Sequence, residues 1–147
     1  LKVGRRPQLG GTFICHSAIV AGVIDAYIEY TGTAFTAILE QKVINDPRKV
    51  YNLVKLAYSK QFNVELMEPL GFENTYAMII RGEDEKEYNI KTISEAAKYS
   101  PKWGVDMVAA SSTDGQIARL GLVVLEDDRK YFPPYEAVPI IRKETLK

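Results

Sequence analysis

Apolar and polar positions along the chain follow two periods. Val50, Leu53, Val54, Ala57 and Tyr58 recur at the spacing of one face of a helix. Asp46-Pro47 ahead of them supplies a cap and a first-turn proline, so a helix is predicted from Pro47 to about Phe62. Short runs rich in Val, Ile and Tyr lie between helical stretches. They predict strands at Val23–Tyr30, Val64–Met67, Thr75–Arg81, Val105–Ala110, Leu122–Leu125 and Ala137–Arg142. The apolar composition of Thr75–Arg81 predicts a strand buried on both sides. Further helices are expected over Phe13–Ala21, Ala34–Gln41, a short stretch behind the capping box Thr92/Glu95, and Thr113–Leu120. Thr31-Gly32-Thr33 reads as a break, Gly82–Asn89 as a solvated turn, and Pro133-Pro134 as a rigid loop. Alternation of strand and helix makes this an α/β protein.

Composition narrows the function classes. The 147 residues are 46% hydrophobic and 26% charged, the balance of a globular chain with enough length to bury a core. Lysine plus arginine equals aspartate plus glutamate, so no basic footprint for nucleic acid is expected. No apolar run reaches the ~18 residues of a transmembrane helix. Leu1–Gly4 reads as a strand rather than a leader, so any signal or lipid anchor of an exported protein would lie outside this chain.

Cys15 is the sole cysteine, which rules out an internal disulfide and leaves no metal-ligand spacing. His16 is the sole histidine and sits beside Cys15 on a predicted helix, where neighbours point in different directions. Both are expected to be structural. Gly10-Gly11 before Thr12 reads as an ordinary turn. Ser112, Thr113 and Asp114 are the nearest candidates for hydrolytic chemistry, and capping the following helix suits them better. No catalytic residue, metal or cofactor is assigned.

Three segments place tyrosine beside small polar residues at strand ends: Glu29–Thr33, Gly71–Tyr76 and Tyr131–Tyr135. Strand ends of open α/β sheets are where ligands bind. Tyrosine faces attract a cation that cannot donate hydrogen bonds, and threonine or asparagine can hold the polar end of the same molecule. Packing of the same tyrosines on the core rim is the competing reading.

These segments resemble the substrate-binding proteins of glycine betaine, choline and carnitine importers (the OpuAC-like or ProX-like family). The resemblance is carried by Gly22–Ala34, Asp46–Tyr51, Glu68–Arg81, Lys91–Ala97, Ser111–Ile117 and Leu122–Arg142, in family order and over nearly the whole chain. It implies a type II periplasmic-binding-protein fold of two α/β lobes flanking a cleft. The first lobe would take residues 1–76 and 122–147, and 77–121 would be a remnant of the second.

The resemblance also implies an aromatic cage for a quaternary ammonium, and delivery to the membrane permease of an ABC importer at the periplasmic or extracellular face. Carried over by position, Tyr30, Tyr76 and Tyr135 would form the cage, with Thr33 at the polar end of the ligand and Asn74, Ser111 and Thr113 beside it. Ser111 stands where the family usually has an aromatic, which makes room for a larger trimethylammonium compound such as ergothioneine. Relative to the family, the chain is compressed after Gly4 and after Trp103. Two complete lobes of ordinary domain size would need roughly 200 residues. A lobe reduced in this way would leave core surface uncovered and could form a homodimer. A transcriptional effector domain and an enzyme on a similar scaffold are the other readings, and no basic or helix-turn-helix segment supports the former.

Overall fold

A computed structural model describes residues 3–73, 76–99 and 114–147. The chain divides into two compact units, residues 1–73 with 134–147, and residues 74–133.

The first unit is built on a three-stranded antiparallel sheet of β1 (Ala26–Tyr30), β2 (Val64–Leu66) and β5 (Ala137–Arg142), in the order β1-β5-β2. Pairing of Tyr27 with Ile140 and Glu29 with Val138 fixes which face is inward. α1 (Thr12–Val20) and α3 (Pro47–Gln61) belong to the same unit. α3 begins as expected: the Asp46 carboxylate accepts from the Lys49 amide and Pro47 opens the first turn. Val50, Val54 and Tyr58 are buried and join Ile19, Val64, Leu66, Val138 and Ile140 in one apolar core. Leu53 remains 39% exposed, because the inward stripe follows the four-residue rows 50–54–58 and leaves position 53 at its margin.

Strand β1 is shorter than predicted, since Val23 and Ile24 close the end of α1 through amide bonds to the Ala18 carbonyl. Thr31-Gly32-Thr33 does not break the chain into a loop. It forms the first turn of α2 (Thr31–Thr33), which runs on as a π-helical segment, Ala34–Ile38. Val3 and Gly4 lie outside any strand.

The second unit holds a two-stranded ribbon of β3 (Ile79–Arg81) and β4 (Leu122–Val124). It also contains α4 (Gly82–Tyr88), α5 (Ile93–Ala96) and α6 (Asp114–Arg119). Leu122–Val124 therefore pairs within this unit, where the sequence reading grouped it with the first lobe. The charged stretch after Arg81 is a helix rather than a turn. Glu83, Asp84 and Glu85 lie in its first turn, where carboxylates suit the amide-rich end, and Asn89 terminates it at φ 50°. β3 is not buried on both sides: Ile79 and Ile80 are half-buried and Arg81 is exposed, since a two-stranded ribbon has little to cover a second face. The capping box is as expected, with the Glu95 amide donating to Thr92 Oγ1 and the Thr92 amide to Glu95 Oε2. Ile90, Ile93, Ala96 and Leu125 form a small apolar core. The strand expected at Val105–Ala110 lies outside the described residues.

Candidate ligand-binding site

In the first unit the candidate site is assembled where β1 hands over to α2. Tyr30 ends the strand opposite Ala137, and the next residue turns into the helix. Thr31 is fully buried. Its amide donates to the Glu136 carbonyl at 2.9 Å, and its hydroxyl accepts from the Glu136 amide at 3.2 Å. The same hydroxyl donates to the Pro134 carbonyl at 3.4 Å. Segment 134–136 is thus tied along the start of α2. A Cβ on Gly32 would fall 2.5 Å from the Pro134 carbonyl oxygen and 3.0 Å from the Tyr135 ring, so only a glycine admits this approach. The outcome is that the Tyr135 ring packs against Gly32; Tyr30, Thr33 and Tyr135 are each half-buried.

Below the site, Glu29 is a buried carboxylate. Burial raises its pKa above the usual carboxylate value, and hydrogen bonds from the Tyr30 amide and the Thr12 side chain partly offset the rise. An open recess of about 230 Å³ lies on the same stretch of chain, lined by Pro69, Gly71, Phe72, Glu73 and Glu136, where Glu73 and Glu136 form an isolated antiparallel bridge.

Not every expected site residue is described. Asn74, Ser111 and Thr113 lie outside the described residues. Tyr76 belongs to the second unit, with its ring 6.0 Å from that of Phe132. The residues alone single out the segment Glu29–Thr33 but give no role to Glu29, Thr31 or Gly32; the small pair between Tyr30 and Thr33 reads as a chain break.

Cys15 and His16 take structural positions. The Cys15 thiol points at the Gly10 carbonyl, 3.4 Å away. The His16 ring packs edge-on against Phe62 and Tyr58, with centroids at 4.5 and 5.5 Å. Desolvation lowers its pKa below 6.5, which keeps the ring neutral. Among the described residues no group of three or more His, Cys, Asp or Glu side chains could hold a metal ion. No described helix is long and apolar enough to cross a membrane.

Comparison with known proteins places this chain in a family. The model for the substrate-binding domain of ABC-type glycine betaine transport systems matches residues 2–107 and 102–147. The chain belongs to that family, a family of transport binding proteins and not of enzymes. The two matched stretches meet at 102–107, beside the compression read after Trp103.

The ergothioneine transport permease/ergothioneine binding protein EgtU of Helicobacter pylori is 31% identical over 183 residues, spanning 94% of this chain and 32% of that protein. Carnitine transport binding protein OpuCC of Listeria monocytogenes is 28% identical over 193 residues, spanning all of this chain and 63% of that protein. The chain therefore spans less than two thirds of these curated relatives, and they carry intervening positions that it lacks. A crystal structure of a glycine betaine/carnitine/choline ABC transporter protein superposes with a TM-score of 0.63 at 26% identity, over 94% of this chain and 67% of that one. Apo YehZ from Escherichia coli superposes at 0.56 and 20% identity, over 95% of this chain and 69% of that one, a likeness of fold. The architecture is that of a periplasmic substrate-binding protein, shortened.

Proposed function

We propose that this chain is the solute-binding component of an ABC importer, working at the extracytoplasmic face with a membrane permease and capturing a quaternary-ammonium compound. The observation that carries the reading is the packing of Tyr135 against Gly32, in the segment that also carries Tyr30 and Thr33, in a chain of the glycine betaine-binding family. Aromatic faces select a methylated ammonium because a primary ammonium would lose its hydration without regaining its hydrogen bonds. Tyr30 and Tyr135 act as walls and Thr33 holds the polar end of the ligand. Tyr76, Asn74, Ser111 and Thr113 remain assigned to the site by family position. Glycine betaine, choline, carnitine and ergothioneine are the candidate ligands, each named for the family or a relative.

Isothermal titration calorimetry with these four compounds tests the reading. Micromolar or tighter binding of one of them, weakened but still measurable in Tyr135→Ala, is the expected result. Absence of heat with all four, on protein of verified mass, would overturn it.

A second reading is favoured by a specific observation. α1 is apolar on its outer side as well as its inner one, with Phe13 65%, Ile14 56% and Val20 49% exposed. A helix apolar all round is normally covered. A reduced lobe with no ligand affinity, acting in protein association as a homodimer, would bury that stripe. Sedimentation equilibrium would then show a dimer that Phe13→Glu dissociates, together with no calorimetric signal.

A further inference from the structure

We infer that Thr31 and Gly32 are positioning residues that set where the Tyr135 ring stands, and so the width of the proposed ammonium site. The inference rests on the reading of Tyr135 as a cage wall. Its geometric half is independent of any ligand.

Tyr135 is held by its neighbours on both sides. Thr31 shares three hydrogen bonds with the flanking residues, donating to the Pro134 and Glu136 carbonyls and accepting from the Glu136 amide. A single buried hydroxyl makes two of them, donating to one carbonyl and accepting from one amide, which serine can reproduce and the isosteric valine cannot. Loss of that hydroxyl leaves the Glu136 amide without its side-chain acceptor at a part-buried position, which costs more than the bond itself contributes.

Gly32 supplies the complementary restraint. Its own carbonyl is held by the Thr36 hydroxyl at 2.8 Å, so the turn cannot easily retreat. The missing side chain lets the Pro134 carbonyl and the aromatic ring approach to distances a methyl group would forbid. The bonds pull segment 134–136 inward, and the bare α-carbon sets how far it comes. Thr33, one residue on, needs no change of identity for its distance to Tyr135 to change.

A double-mutant cycle tests this. Affinities for glycine betaine, choline, carnitine and ergothioneine would be measured by calorimetry for Thr31→Val, Thr31→Ser, Gly32→Ala and Tyr135→Ala, and for Thr31→Val combined with Tyr135→Ala. Thr31→Val is expected to weaken the best ligand about tenfold, the scale of one buried hydrogen bond lost. Thr31→Ser should stay within about twofold of the parent, and Gly32→Ala should be at least as damaging as Thr31→Val. In the Tyr135→Ala background, Thr31→Val should cost almost nothing more. An equal loss in both backgrounds, or a serine variant as weak as the valine variant, would overturn the inference.

Ligand-free NMR separates this inference from the functional reading. Faster amide exchange at Glu136 and shifted Tyr135 ring resonances in Thr31→Val, with the serine variant like the parent, support positioning even if no ligand binds. Unchanged exchange and ring resonances in Thr31→Val overturn it. If the ring moves but Tyr135→Ala leaves every affinity intact, the cage reading fails and the positioning stands.

Discussion

The two units of this chain solve the same problem with different means. In the first, three strands and two helices bury Ile19, Val50, Val54, Tyr58, Val64, Leu66, Val138 and Ile140 in one cluster. In the second, the described core is Ile90, Ile93, Ala96 and Leu125, and much of the order comes from side chains capping backbone. The Asp127 carboxylate accepts from the Tyr131 and Phe132 amides, Asp128 from the Ser94 amide, and Glu95 from the Lys91 and Thr92 amides. Apolar burial grows with the number of residues that can be surrounded, so a small unit gains proportionally less from it. Local hydrogen bonds then carry a larger share. The first unit is thus sensitive to lost volume, and the second to lost caps as well.

Truncation of the first core should have the largest effect. Ile140→Ala empties the centre of β5 and is expected to cost about 2–5 kcal/mol, read by urea denaturation. Leu125→Ala in the second unit should cost less, about 2–3 kcal/mol, because a smaller core collapses more readily around the gap. Equal losses would mean that the units share one cooperative core. Next comes Thr92→Ala, which removes half of the capping box and should cost about 1 kcal/mol. It should also raise hydrogen exchange within 90–99 while leaving the α3 amides unchanged. An effect spread over both units would break the comparison.

Smallest are the effects of polar groups inside the first core. The hydroxyls of Tyr27 and Tyr58 interact at short range, yet neither these nor His16 Nδ1 reaches hydrogen-bond geometry with any described group. Desolvation, first among the causes, raises the pKa of both tyrosines, so both stay neutral. Tyr58→Phe should therefore be neutral or stabilising, within about 1 kcal/mol.

His16 makes the first unit pH-sensitive. Its folded pKa lies below 6.5, so the native state binds fewer protons than the unfolded state, and stability declines as pH falls below 6.5 toward the folded value. Glu29 has the opposite sign. Its folded pKa is above 4.5, so its contribution is fully present below 4.5 and is lost as pH rises through the folded value. Urea midpoints between pH 7 and pH 4 should fall at first and then be partly relieved. His16→Leu should remove the first limb, and Glu29→Gln the second.

What the sequence determined by itself is the set of locally encoded features. The Asp46-Pro47 start of α3, the Thr92/Glu95 box and the strand Ala137–Arg142 depend on residues a few positions apart, and each is found where expected. Family membership was legible too, since its motifs are contiguous runs. Those runs name Tyr30, Thr33 and Tyr135 as candidates for the site.

Tertiary structure decided what joins distant positions. Pro139 sits inside a central strand, which a sequence rule disfavours. It is tolerated because it faces the point just past the end of β2, where its carbonyl still accepts from the Met67 amide and the absent N–H breaks no bond of the β2–β5 ladder. Leu122–Val124 was placed by its pairing with β3, and pairing depends on loop closure rather than on composition. Thr31-Gly32 looked like a break because small polar residues favour turns. It became a helix start because Glu136, more than a hundred residues away, supplies the hydrogen bonds that a local reading leaves out.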